Sequence, residues 1–199
     1  MEYWYLWVIL AVLCIITVFV LIKASASGKL QKIDREREMS ELKRLRELKT
    51  KFTSFDKATA DNTDARTLLD GVCVVMQARI EKSENPEKEF LLFSKPQKLA
   101  YTLNYLVEDS EPQVLSFFFK NNGEPLVSLA AEALSAVGED RASVICEDMF
   151  AMFDENNEKV SLDVNETERL DNQFFAVIDF SRLLSEIKSY IIDNIDDFQ

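Results

Sequence analysis

Residues 4–22, WYLWVILAVLCIITVFVLI, form an unbroken apolar run of 19 residues with no charge and no helix breaker. As a helix such a run rises roughly 28 Å, close to the ~30 Å hydrocarbon core of a bilayer. Tyr3, Trp4, Tyr5 and Trp7 cluster at one end, where amphipathic rings favour the headgroup region, and Lys23 follows at the other. The pattern predicts a transmembrane helix. A buried core helix is the alternative, which so long a run apolar on every face disfavours. Ala24-Ser25-Ala26 has the small residues of a signal-peptide cleavage site. The preceding Met-Glu-Tyr lacks a basic segment, the apolar run exceeds the usual ~7–15 residues, and Lys23 interrupts the approach, so the segment is expected to be retained.

Beyond Lys23 the pattern becomes amphipathic. Leu30, Ile33, Met39, Leu42, Leu45 and Leu48 recur among alternating charges, which predicts a helix over 29–51. Their spacing of three drifts around a helix and sustains about two heptads, so a solvated connecting helix is favoured over a coiled coil. Phe52 and Phe55 are expected to dock its end, and 53–62 reads as loop.

The remaining chain carries helical periodicity throughout. Leu68, Leu69, Val72, Val75, Met76 and Ile80 make one apolar face, with Asp61 to Thr63 as candidate N-caps. Asn85-Pro86 breaks it. Ser94 precedes Pro96 and the face Leu99, Ala100, Leu103, Leu106. Ser110-Glu111-Pro112 is expected to open a helix carrying Val114, Leu115 and Phe117 to Phe119, with Gly123 stopping it in the left-handed conformation. Pro125 suits the first turn of the next helix, whose buried positions include Leu126, Leu129, Ala130, Ala133 and Leu134 before Gly138 ends it. Ala142, Ile145, Met149, Phe150 and Phe153 continue the pattern. Val160, Leu162 and Val164 alternate, consistent with a short extended stretch. Glu166 to Ile178 and a final helix capped by Ser181 complete an all-α domain. The predicted organisation is a membrane anchor (1–23), a charged helical stalk (24–55) and a compact multi-helix acidic domain (56–199).

Charge sharpens this division. Between Lys23 and Lys51 ten Lys/Arg face five acids, whereas residues 52–199 hold 13 Lys/Arg and 29 Asp/Glu, a net −16. The positive-inside bias places the bulk of the chain in the cytoplasm, single-pass in the cell (inner) membrane, with the N-terminus outside. The basic stalk also suits anionic headgroups. So strong an acidic balance bears on solubility and partners rather than on fold.

Composition excludes much chemistry. The 199 residues include no histidine, which removes the commonest general base, His-activated nucleophiles and imidazole metal sites. Four scattered glycines supply neither a P-loop nor a dinucleotide fingerprint. Cys14 falls in the span and Cys73 and Cys146 on apolar helix faces, so reduced thiols are expected instead of disulfides. Asp154 to Glu158 superficially suggests a calcium loop, but Lys159 and Asn165 occupy the positions that need glycine and glutamate. Asn165-Glu166-Thr167 is a glycosylation sequon that a cytoplasmic domain would not present to that machinery. No catalytic residue, cofactor or metal is predicted. A carboxylate-based hydrolase would require an acid pair clustered in a cleft.

Residues 117–124, FFFKNNGE, followed by Glu132-Ala133-Leu134-Ser135-Ala136-Val137-Gly138, resemble the DNA-mimic-protein C-terminal-domain family, whose members show an aromatic triplet, an Asn/Ser-Gly turn and an Ala-Leu-x-x-Ile-Gly helix end. The stretch from Phe174-Phe175 through Tyr190-Ile191 to Asp197-Phe198 is similar to that family's ending. Where the family carries an Asn-Asn-Gly-Gly-like turn before the triplet, this chain has Ser110-Glu111-Pro112-Gln113. The resemblance covers about half the chain, excludes the anchor and stalk, and implies an acidic helical protein that presents carboxylates as DNA presents phosphates.

The acidic positions that such a role would use are Glu108, Asp109 and Glu111; Glu139 and Asp140; Glu147 and Asp148; Asp154 and Glu155; and Asp193, Asp196 and Asp197. Taken singly, each is expected to be a solvated acidic surface that keeps a bacterial-type cytosolic domain soluble. The leading expectation is a membrane-tethered, non-enzymatic interaction module. It would bind a basic cytoplasmic protein, such as a DNA-binding regulator, without binding nucleic acid directly. The alternative is an immunity or antitoxin-like inhibitor of a basic toxin enzyme.

Overall fold

A computed structural model describes residues 37–152 and 164–198. The apolar run 4–22, the predicted extended stretch at 160–164 up to its last residue, and the rejected calcium loop at 154–158 lie outside the described residues. Among the described residues every regular element is helical and none is long and apolar enough to cross a membrane. The chain divides into two compact units, 1–46 and 47–199. In the first, 37–46 is helical and Met39, Leu42 and Leu45 are exposed.

The second unit opens with the end of the same helix, α1 (37–52), and continues with α2 (Lys57–Asp61), α3 (Ala65–Ile80), α4 (Pro86–Leu92) and α5 (Lys95–Ser110). It then adds α6 (Leu115–Asn121), α7 (Leu126–Ala136), α8 (Asp140–Phe150), α9 (Val164–Val177), α10 (Phe180–Asp193) and a terminal 3-10 turn, Ile195–Phe198. Helix α5 is the hub, packing on α3, α6, α7, α10 and the terminal turn. Its Leu99, Ala100, Leu103, Leu106 and Val107 are fully buried, as are Thr102 and Ser110 on its other sides. Burying each such leucine contributes roughly 1.5–3 kcal/mol, so α5 organises the core.

Capping residues fix most helix starts. Asp56 accepts from Thr59 N, Asp64 from Thr67 N, Asn85 from Lys88 N ahead of Pro86, and Asp179 from Ser181 N and Arg182 N. Ser94 and Gln97 satisfy each other's backbone N–H groups in a capping box. Phe52 and Phe55 dock the end of α1 as expected, edge to face with ring centroids 5.3 Å apart. Phe52 lies against Gly71, where a Cβ would stand 2.6 Å from its Cγ; only glycine admits the ring that closely.

Several predicted boundaries move. The polar 53–62 segment contains α2, started by Asp56. Asp64 rather than Asp61 to Thr63 caps α3, because Thr63 is drawn inward, where its hydroxyl donates to the Thr59 carbonyl (2.7 Å) and its own carbonyl accepts from Lys188 Nζ (2.6 Å). Ser110 ends α5 instead of opening the next helix, since α5's own hydrogen bonding continues to Glu111 N→Val107 O. Gly123 lies outside the left-handed region; Asn122 ends α6, its side chain donating to the Phe118 carbonyl at 2.9 Å. Ser181 is inside α10, capped by Asp179. Val164 begins α9.

Candidate functional site

The acidic positions divide by what their surroundings ask of them. Gly138, at φ 81°, ends α7 with Glu139 N–H bonded to Leu134 O (2.9 Å) and Gly138 N–H to Ser135 O (3.0 Å). This paired closure satisfies carbonyls that the helix end leaves open, and the positive φ favours glycine there. It turns the chain into α8 and points Glu139 inward. The Glu139 carboxylate, 7% exposed, receives three bonds of 2.7–2.9 Å from the Arg182 guanidinium of α10. Arg182 is held above its ordinary range chiefly by that hydrogen bonding. Glu139 is therefore withdrawn from the predicted acidic surface: a buried carboxylate requires a partner, and Arg182 is it. Its neighbour Asp140 stays exposed and accepts from Ser135 Oγ at 3.0 Å.

At the C-terminal end of α5, Glu108 and Glu111 flank Arg66, with closest approaches of 3.5 and 3.9 Å, while Arg66 also holds Asp70 at 3.0 Å. Asp109 accepts from Asn122 Nδ2 (2.6 Å) and Asn121 Nδ2 (3.4 Å), tying the ends of α5 and α6 together. The two asparagines of the turn that carried the resemblance thus hold the fold at this point.

Helix α8 separates cleanly into faces. Ala142, Ile145, Cys146 and Met149 are buried, while Asp140, Arg141, Val144, Glu147 and Asp148 face solvent. Neither the Glu147 nor the Asp148 carboxylate has a hydrogen-bond or ion-pair partner among the described residues. Within α9, which packs on α8, Glu166 holds Arg169 (Nε to Oε2, 2.9 Å), and Arg169 also bonds Gln173 Oε1 at 2.9 Å. Arg169 is raised mainly by its bond to Glu166, with the charge of Asp148 adding a smaller push. The Arg169 guanidinium, which senses Asp148, is thus already committed to Glu166 and Gln173. Asp193 and Asp196 are exposed and Asp197 half-buried at the chain's end, while Asp154 and Glu155 lie outside the described residues.

One carboxylate that sequence reasoning missed is buried. Helix α6 has no capping side chain of its own, and Asp171 of α9 supplies one from 55 positions away, accepting from Ser116 N (2.7 Å) and Ser116 Oγ (2.8 Å). Periodicity places 171 beside buried Leu170, but nothing in the sequence pairs it with Ser116.

Cys73 and Cys146 are free thiols, and burial pushes both well above the ordinary cysteine range, so neither is an activated nucleophile. Among the described residues no cluster of acids and cysteines is arranged to hold a metal ion. Comparison with protein-family models, curated proteins and solved structures returns no match for this chain.

Proposed function

We propose that this chain is a non-enzymatic interaction module that presents an acidic helical surface to a basic cytoplasmic protein while its N-terminal apolar run holds it at the cell membrane. The observation that carries the reading is the outer face of α8, where Glu147 and Asp148 lie exposed with no hydrogen-bond or ion-pair partner among the described residues. Glu108, Asp109, Glu111, Glu139 and Asp140 are each engaged by a nearby donor, so the contact charge centres on α8 instead of spreading over all these positions. The net −16 of residues 52–199 supplies a field that attracts a basic groove over distance. The resemblance of 117–138 to the DNA-mimic-protein domain supports a DNA-binding regulator as the partner.

The test uses the full chain in nanodiscs of zwitterionic lipid, immobilised, exposed to cytosol and eluted with salt. The expected result is a basic DNA-binding protein released at moderate salt, displaced by added duplex DNA, and not retained by the Glu147→Gln/Asp148→Asn variant. Retention of a basic enzyme that duplex DNA does not displace would replace this reading with a toxin inhibitor. Retention that ignores the double variant would remove α8 from the interface.

A further inference from the structure

Within the 47–199 unit, the end of α1, helix α3 and the terminal turn line an open cavity of about 350 Å³. Its floor is apolar: Phe52, Val72, Val75, Met76 and Phe198. Its polar rim carries Lys49, Arg79 and Lys82, and no aspartate or glutamate lines it. Residues 47–199 hold thirty acids and fifteen Lys/Arg, so three cations and no acid around one cavity run against the composition of the whole unit. Arg79 is partly occupied, bonded to Glu89 at 2.9 Å and seated 4.8 Å above the Phe93 ring. The ammonium groups of Lys49 and Lys82 have no hydrogen-bond or ion-pair partner among the described residues.

An apolar floor with a few convergent polar groups of one sign is the usual form of a small-molecule site. Ammonium groups with spare donors favour a carboxylate, and the floor favours a chain. At roughly 30 Å³ per water-sized group, the volume admits about a dozen non-hydrogen atoms.

We propose that this cavity binds a medium-chain fatty carboxylate about the size of decanoate, with its head at Lys49 and Lys82 and its chain over Phe52, Val75, Met76 and Phe198. The site is separate from the acidic face of α8 and stands or falls without it. In an acidic surface that repels anions, the cavity is the place where one is attracted.

The test is photo-labelling of the full chain, in zwitterionic nanodiscs, with a diazirine analogue of decanoate, followed by peptide mapping. Expected is saturable labelling of peptides containing Phe52, Val75–Met76 or Phe198, competed by decanoate and far less by decanol. Lys49→Glu/Lys82→Glu should cut labelling about tenfold or more, and Val75→Trp should block it by filling the cavity with the charges intact. Unchanged helicity by circular dichroism separates these losses from misfolding. Competition by decanol equal to that by decanoate, competition by inorganic phosphate alone, or labelling outside the cavity would overturn the proposal. Protection that grows with protein concentration would assign the cavity to a second copy of the chain, and would overturn it equally.

Discussion

At the α6–α9 junction a carboxylate is buried and bonded through both oxygens; on the outer face of α8 two carboxylates are exposed and have no partner among the described residues. Asp171 gives up its hydration but gains a backbone N–H and a hydroxyl at the start of a helix, where the aligned peptide dipoles favour negative charge. Glu147 and Asp148 keep their hydration and add no cohesion. The two regions use the same functional group for opposite ends. In so acidic a chain, a count of carboxylates therefore says little about which of them face a partner.

The largest effect that tests this contrast is Asp171→Ala. Ser116 is 1% exposed, so its N–H would be left without water or acceptor, and its hydroxyl would lose its acceptor while Lys120 Nζ still approaches it at 3.4 Å. The expected loss is about 2–4 kcal/mol, combining a missing cap with stranded buried groups. Urea unfolding measures it, and Ser116→Ala, which removes only the hydroxyl, should cost about 1 kcal/mol. A loss for Asp171→Ala smaller than that of an ordinary surface change, about 0.5 kcal/mol, would erase the distinction between the regions.

The Glu139–Arg182 pair sharpens the contrast, because its two members are unequally exposed, at 7% and 55%. Removing the guanidinium strands a buried carboxylate; removing the carboxylate returns a half-exposed guanidinium to water. Arg182→Ala should therefore cost distinctly more than Glu139→Ala. Equal losses in urea unfolding would mean that Glu139 is not buried in the way that withdraws it from the surface.

Local signals were legible in the sequence where the physics is local. Ser94 ahead of Pro96, the helix-ending Gly138 and the apolar stripes of α3, α5 and α8 each follow from a short window, and so does the all-helical class. Boundaries were misplaced where burial outweighs composition. Ser110-Glu111-Pro112 looks like a helix start, yet Ser110 is fully buried and belongs to the helix it ends. Glu139 looks like a surface acid until Gly138 turns it toward Arg182. Asp171 and Ser116, or Lys49 and Lys82, are brought together only by the tertiary fold, so no window of sequence contains them both. The acidic face itself was half legible: Glu147 and Asp148 follow from the α8 period, but the donors that engage Glu108, Asp109, Glu111, Glu139 and Asp140 do not.

Smaller again is the effect of acid on the exposed caps. Asp64 is held below the ordinary aspartate range by the backbone and hydroxyl bonds of Thr67, and Asp56 by the hydroxyl and backbone bonds of Thr59. A carboxylate whose folded value is depressed contributes fully above its unfolded value of about 3.9, and that contribution is lost as the pH falls through the lower folded value. Stability should thus be level across neutral pH and decline below about pH 4. Asp64→Asn, which still caps a helix but does not titrate, should flatten the acid limb of a plot of Tm against pH. An unchanged limb would mean that the caps do not carry the acid sensitivity.

The smallest expected effect on stability belongs to Glu147→Gln/Asp148→Asn. Neither side chain is buried or bonded among the described residues, so their neutralisation is expected to break nothing within the fold. It also removes two negative charges from a domain of net −16, which relieves self-repulsion. Urea unfolding should therefore show a change within about 0.5 kcal/mol, with any shift toward higher stability, and the gain should shrink as salt screens the field. A loss of more than 1 kcal/mol, against the ~0.5 kcal/mol of an ordinary surface change, would show that these carboxylates are internal partners like Asp171, and the interface proposed on α8 would lose its free charge. A neutral or slightly stabilised variant that no longer retains the basic partner would separate binding from folding at two residues. Two carboxylates can then be lost without cost to the fold only because their charge is directed outward.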